Sequence, residues 1–525
     1  MGLKVLFVVE YLPQEMLGIM WISRAIKDAG HQTKALFLPD ADWQAKLADY
    51  APDVVAYSVT TGMHVYFLEV NRKIKERLPR VFTIMGGPHP TFTPEILEEA
   101  PELDAVCRGE GEEAIAELLN KMERGEDFHG VQNLWFRDRR TGEIVRNGQR
   151  QPIQDLDALG FPDREVVYEA GAVYRDSDRK VFTSQRGCPM ECSFCFHHAL
   201  KKKIYGSTNG KYVRKRSVDH VIAEIKAVRE RYNLKFVHFV DDIFNLSGKW
   251  LDEFCDKYPR EIGLPFDVIL MANMTKERHI QQLRKAGCVY ARIAFEAAND
   301  HIRNAIFRKN TTLQQLKDAS GWIREHGIRL GSLNIIGAPG GTLEDELDTI
   351  RLNIECKVDH PMVSLMQPYP MFDITEMTEQ MGYAVSSLDE FPVNFRRTVP
   401  VEFASKHELE NLHKLFPIVV RNPWLLPLLP KLIKLRWMYR PYLVLFMLHA
   451  EYLVAEQAKL YARAQGRSGP RYWTSMDFLH RLSTKGVLRL YQVLFARFGM
   501  RFASVGQRMK VSLQMGDERV VAHMD

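Results

Sequence analysis

A chain of 525 residues with 46% apolar and 26% charged side chains is too long for one ordinary core and too apolar for a disordered protein, so about two to four folded units are expected. The formal charge of +5 is small for this length and gives no general electrostatic case for a nucleic-acid partner. Seven cysteines, an odd number with three in one tight cluster, argue against a disulfide framework and for cofactor chemistry in a reducing compartment.

At the N-terminus, Met1-Gly2-Leu3-Lys4 runs into Val5 to Val9, an apolar run too short for a signal peptide, and a cytoplasmic location is expected. Strand-like runs at Val5 to Val9, Val54 to Ser58, Val81 to Met85 and Ala105 to Val106 alternate with helical stretches such as Trp21 to Ala29 and Tyr66 to Leu78. The alternation predicts an α/β fold with a doubly wound parallel sheet over 1–130. Ligands of such sheets lie at the carboxyl ends of the strands, which selects the loops Glu10 to Gly18, Val59 to His64, Gly86 to Pro94 and Arg108 to Glu113. Residues 131–178 are polar and rich in turn signals, and read as a linker.

Over 179–385, six further strand signals (Val181 to Ser184, Phe236 to Val240, Val268 to Met271, Tyr290 to Phe295, Ser332 to Ile336, Met362 to Gln367) alternate with helices. They predict a partial (β/α)6 barrel with its site at the strands' C-terminal ends. Residues 386–525 read as a helical domain. Its segment Arg421 to Ala450 mixes Lys431, Lys434, Arg436 and Arg440 with Trp424, Trp437 and many leucines and holds no acidic residue. That composition suits peripheral contact with the inner face of a membrane and equally a helical cap on the barrel; the uninterrupted apolar stretch Tyr442 to Leu448 is too short to span a bilayer.

The strongest local signal is Cys188-Pro189-Met190-Glu191-Cys192-Ser193-Phe194-Cys195, directly after the first barrel strand. Three thiolates on one short loop suit an iron–sulfur cube with one iron left open to a small-molecule ligand. A zinc site is the alternative, but zinc usually takes four closed ligands, and His197 and His198 follow Cys195 too closely for the familiar paired spacing. The CxxxCxxC spacing with Phe194 before the last cysteine resembles the signature of the radical S-adenosylmethionine (SAM) superfamily. That resemblance implies a [4Fe-4S] cluster on Cys188, Cys192 and Cys195, SAM on the open iron, a 5′-deoxyadenosyl radical, and an external one-electron donor such as flavodoxin or ferredoxin.

Further positions fit the same family in order from about 180 to 378. Asp241 and Asp242 end the second strand where an acidic pair would face the SAM ammonium, Asp241 being the better candidate and helix capping the alternative, above all for Asp242. Glu296, with Lys309, Thr311 and Thr312 downstream, resembles the fourth-strand motif that contacts SAM. Asn334, Gly337 and Pro339 resemble the fifth-strand turn beside the adenosine, with an ordinary strand-to-helix turn as the alternative, and Gln367, Tyr369 and Thr375 fit the sixth strand. Tyr369, His197 and Glu191 are the neighbours noted for the substrate.

Gly86, Gly87 and His89, followed by Gly109 and Glu110, resemble the paired loops of cobalamin-binding domains fused to such barrels, with Thr61 and Met63 beneath the lower corrin face. The first loop lacks the Asp-x-His-x-x-Gly that supplies an axial histidine; His64 and His89 are the remaining candidates, and a degenerate module without cobalamin is the alternative. The resemblance implies a cobalamin-dependent radical SAM enzyme acting on an unactivated carbon of a hydrophobic small molecule, by C-methylation through methylcobalamin. The alternatives are oxidative cyclisation, ring contraction or carbon–carbon coupling on a tetrapyrrole or lipid, and a non-catalytic cobalamin or iron–sulfur sensor.

Overall fold

The computed structural model describes residues 2–10, 15–38, 40, 42–206, 212–393 and 396–464, and three strands between 500 and 524. It divides into two compact units, Met1–Lys406 and His407–Asp525.

The first unit opens with five parallel strands, β1 (Lys4–Glu10), β2 (Gln32–Leu38), β3 (Val54–Ser58), β4 (Phe82–Gly86) and β5 (Ala105–Cys107), in the order β2-β1-β3-β4-β5. Successive side chains of a strand point to opposite faces, so Val5, Phe7 and Val9 meet the helices Leu17–Asp28 and Glu112–Arg124, while Leu6 and Val8 meet Phe67, Val70 and Ile74 of the helix His64–Arg77. This is the doubly wound sheet expected. It is longer than the sequence suggested: β6 (Leu134–Arg137) and β7 (Ile144–Arg146) lie in the stretch read as a linker and continue the sheet antiparallel beyond β5.

The ribbon strands β9 (Gln185–Arg186) and β10 (Arg214–Lys215) flank the cysteine loop. The barrel strands are β8 (Arg179–Phe182), β11 (Phe236–Phe239), β12 (Phe266–Leu270), β13 (Cys288–Glu296), β14 (Arg329–Ile336) and β15 (His360–Leu365). All six pair in parallel and in chain order, the partial barrel predicted from their spacing. Phe239, Phe254, Tyr258 and Phe266 pack edge to face with rings about 5 to 6 Å apart and fill the layer between β11, β12 and the helix Gly248–Glu261.

Two buried polar nodes join the sheets. Glu15 accepts from Arg164 at 3.0 Å, from the Val181 N–H at 2.8 Å and from the Tyr168 hydroxyl. Arg164 also donates to Glu224 at 2.8 Å, and the other Glu224 oxygen accepts from Arg216 at 2.6 Å.

In the second unit, residues 407–464 are helical, ending in the helix Tyr439–Ala464. Three antiparallel strands, Met500–Val505, Arg508–Met515 and Glu518–Met524, follow where the helical reading held no sheet. Among the described residues no helix is long and apolar enough to cross a membrane.

Candidate functional site

The three cysteines lie on the loop that leaves β9, and Cys195 begins the short helix Phe196–Ala199. Gly187 turns the chain into this loop with φ +87°, and a Cβ there would stand 2.4 Å from the Tyr212 carbonyl oxygen, so only glycine fits. The loop is pinned at its middle: Ser193 Oγ donates to the Ile306 carbonyl at 2.6 Å, the Ser193 carbonyl accepts from the Ile374 N–H at 3.1 Å, and Phe194 sits edge-on to Phe307 at 5.1 Å.

Cys188 and Cys192 are buried and Cys195 nearly so, with Ile243 and Met271 against Cys188. Burial pushes the Cys188 thiol up to about 11 and Cys195 up to about 12, and raises Cys192 as well. The Met190 N–H donates to Cys188 and the His197 N–H to Cys195, both favouring the thiolate. Soft donors in an apolar setting, with amide hydrogens on sulfur, fit an iron–sulfur cluster whose charge displaces the thiol protons. Of the nearby rings, His197 is engaged at both nitrogens, by Asp242 at 2.7 Å and the Tyr212 hydroxyl at 2.9 Å, while His198 bonds Asp373 through Nε2 at 3.0 Å and its buried Nδ1 has no hydrogen-bond partner among the described residues. Among the described residues no three His, Cys, Asp or Glu side chains converge tightly enough to hold a single ion.

The two carboxylates that follow β11 are placed differently from one another. Asp241 is buried and accepts from the Ser184 N–H at 2.8 Å and the Ser184 hydroxyl at 2.9 Å, bracing the chain just before β9. Burial pushes its carboxyl up to about 6. Asp242 is half-exposed and holds His197; neither caps the following helix, whose N-terminal hydroxyl comes from Ser247. Asp241→Ala should therefore strip the Ser184 N–H of its partner and cost about 1–3 kcal/mol. Asp241→Asn, which keeps an acceptor, should unfold near the parent temperature and still bind SAM. Thermal unfolding and SAM titration of both variants check this.

Glu296 stands at a β-bulge against β14 and has φ +59°, uncommon for a residue with a side chain. Its carboxylate pairs with Lys309 at 2.9 Å, and Arg308 and Asn310, on either side of that lysine, are left-handed too. Three residues with positive φ thus surround one buried ion pair. Burial works against the Lys309 ammonium, yet Glu296 and Cys192 outweigh it and raise its pKa. Cys192 feels this cation, which brings the pair beside the cluster loop.

The fifth-strand residues are otherwise occupied. The Asn334 amide donates to Ser332 and to the Met362 carbonyl, both at 2.9 Å, and accepts from Asn353 at 2.8 Å. The Gly337 N–H donates to Glu346, Pro339 is buried, and Thr342 begins the helix Leu343–Glu355 with a capping box through Asp345. These contacts are those of a strand-to-helix turn, the alternative weighed for Asn334, Gly337 and Pro339. Thr311 donates to the Lys309 carbonyl, Thr312 caps the helix Leu313–Glu325, Thr375 bonds the Tyr369 carbonyl, and Gln367 bonds the Thr398 carbonyl.

At the first sheet, Gly86 and Gly87 are half-buried at the end of β4, and Gly87, with φ +97°, lies so close to Val59 that a Cβ would meet its N–H at 2.7 Å. Thr61 bonds His89 at 3.0 Å, and the His89 and His64 rings stack at 4.1 Å. Both ring nitrogens of His64 are taken, by the Gly62 N–H and by Asp389, and His89 is buried, its pKa depressed by that burial to about 3. His64 thus has no ring nitrogen free, whereas His89 is a neutral imidazole bonded through Nδ1. Met63 is buried, whereas Val65 and Tyr66 at the start of the following helix are exposed. Glycine backbone beside exposed apolar side chains fits a broad corrin.

Gly109 and Glu110 are placed differently from the expectation. Glu110 accepts from Arg214 at 2.7 Å and from the Ile153 N–H at 2.8 Å, and the neighbouring Glu112 accepts from Arg186 at 2.6 Å. A Cβ on Gly109 would stand 2.8 Å from the Tyr205 hydroxyl. The loop after β5 therefore clasps both strands that flank the cysteine loop instead of presenting its carboxylate to a ligand. Sequence reasoning missed Arg186 and Arg214, although a cation one residue before Gly187-Cys188 was a signal.

Residues 3–119 match the family described as B12 binding domain and residues 182–352 the radical SAM superfamily. The chain is 28% identical over 398 residues, 74% of its length and 82% of the relative, to an uncharacterized methyltransferase of Pyrococcus horikoshii. It is 26% identical over 384 residues to the anaerobic magnesium-protoporphyrin IX monomethyl ester cyclase of Rubrivivax gelatinosus, covering 70% of the chain and 66% of that protein. The solved structure of the radical S-adenosylmethionine methyltransferase TsrM of Kitasatospora setae, with cobalamin and cluster bound, superposes with a TM-score of 0.60 at 19% identity over 75% of the chain and 82% of that protein, a likeness of fold.

Proposed function

Since the chain belongs to the cobalamin-dependent radical SAM enzymes, we propose that it transfers a methyl group to an unactivated carbon of a hydrophobic small molecule. The observation that carries the reading is the double clasp Glu110–Arg214 and Glu112–Arg186, which ties a loop of the corrin-binding sheet to both flanks of the cysteine loop. Two cofactors that must act on one substrate need their loops held in one frame. When bound, the cluster supplies the electron that opens a carbon–sulfur bond of SAM, and cobalamin supplies the methyl group.

The chain's own residues bind and orient. Cys188, Cys192 and Cys195 hold the cluster. Asp242, half-exposed beside that loop, faces the SAM ammonium in the role first given to Asp241, and Glu296, paired with Lys309, accepts from SAM hydroxyl or ammonium hydrogens. Thr61, Met63, Gly86 and Gly87 support the corrin. A methyltransferase and a cyclase acting on a porphyrin ester are among the relatives, which favours an apolar substrate and makes cyclisation the rival outcome.

The test is anaerobic reconstitution with iron, sulfide and hydroxocobalamin, then SAM, reductant and apolar extracts, quantifying 5′-deoxyadenosine and S-adenosylhomocysteine. Equal formation of both products is expected. Substrate-dependent 5′-deoxyadenosine without S-adenosylhomocysteine would replace methylation by cyclisation or coupling.

A further inference from the structure

The second unit carries an apolar surface that no described residue covers. Between the helices Lys406–Arg421 and Tyr439–Ala464 the chain makes a series of short turns, and Trp424 and Trp437 within them are 71% and 74% exposed. Leu428 and Leu435 are exposed with them. A single exposed leucine needs no explanation, but two tryptophans and two leucines within fourteen residues do.

The segment is built to hold this display. Leu429 and Ile433 are fully buried, the buried Asn411 donates to the Ile433 carbonyl at 2.8 Å, and the Tyr442 hydroxyl donates to the Leu432 carbonyl at 3.1 Å. The inward side is thus anchored while the outward side presents rings. Interleaved with those rings, Lys431, Lys434, Arg436 and Arg440 are exposed, and among the described residues none of them pairs with a carboxylate. No acidic residue occurs from Arg421 to Ala450. An apolar face of large side chains rimmed by unpaired cations is complementary to a bilayer with anionic headgroups: rings enter the acyl boundary while lysine and arginine meet phosphates.

We propose that Trp424, Leu428, Leu435 and Trp437, with Lys431, Lys434, Arg436 and Arg440, form a docking surface for an anionic phospholipid bilayer. The contact is interfacial, since no described helix can span. It brings the chain to the phase where apolar molecules concentrate, and it stands whether or not the transferred group is a methyl.

The test is co-sedimentation of the full chain with vesicles of phosphatidylcholine alone or mixed with phosphatidylglycerol, for the parent, Trp424→Ala/Trp437→Ala and Lys431→Glu/Lys434→Glu. The expected result is about tenfold or greater preference for the anionic vesicles, weakened by salt and lost in both double variants. Circular dichroism and 5′-deoxyadenosine release remain at parent levels. The proposal is overturned if the parent stays in the supernatant, if binding ignores vesicle charge, or if the variants bind as the parent does. It is likewise overturned if the parent binds no vesicles but dimerises in sedimentation equilibrium and the tryptophan variant does not, the face then belonging to a second copy.

Discussion

Cys192→Ala, reconstituted anaerobically with iron and sulfide, is expected to retain little iron and to release 5′-deoxyadenosine at least about a thousandfold more slowly than the parent, a loss of about 4 kcal/mol or more in activation free energy. Three protein thiolates leave one iron open; removal of the middle thiolate leaves two irons without protein ligands. His197 does not offer a replacement, because both its nitrogens are engaged and Asp242 is held by that ring. Cys255→Ala is the contrasting variant. Cys255 lies on the helix Gly248–Glu261, outside the cysteine loop, its thiol pushed up to about 12 by burial. Iron content and product release should there match the parent. Equal loss in both variants would mean that the phenotype is misfolding.

Glu224→Ala should be the most damaging substitution away from the cysteines, costing about 3–5 kcal/mol, because it leaves the buried Arg216 with no carboxylate partner and the buried Arg164 with Glu15 alone. The effect is read as a lowered unfolding temperature and faster proteolysis. Glu224 also sets a pH dependence. Burial alone would raise its carboxyl, but Arg216 and Arg164 outweigh burial and hold it below the ordinary carboxylate range. A depressed folded-state pKa means that its stabilising contribution is complete above the unfolded value, about 4.3, and is lost as pH falls through the folded one. The parent should therefore lose stability on acidification below about pH 5 more steeply than Glu224→Ala, which has already forfeited that contribution.

The barrel and most of the first sheet were legible because their strands are buried on both faces and stand out as short apolar runs. Strand β2 was not, since Gln32-Thr33-Lys34 lies at the sheet edge and only Leu36, Phe37 and Leu38 are buried. The hairpin β6–β7 was hidden for the same reason, the exposed Val145 and its short partner carrying no alternation long enough to read. The cysteine loop was legible because its chemistry is local in sequence. Asp241 and Asp242 show where that kind of reading ends: adjacent strand-end residues point to opposite sides, and only the position of Ser184 decides which one is consumed by the fold. Glu110 and Glu112 belong with Arg214 and Arg186, separated by 104 and 74 positions, and no spacing rule connects them.

Glu15 gives the fold a timetable. Its carboxylate is finished only when Arg164, Tyr168 and Val181 arrive, the last of them 166 positions later. At about 5–20 residues per second a ribosome takes about 8 to 33 s to cover that distance, and throughout it a carboxyl group destined for a buried site stands in water beyond the end of β1. Glu15 gains its last partner only as β8 emerges, and the cysteine loop follows within the next few residues.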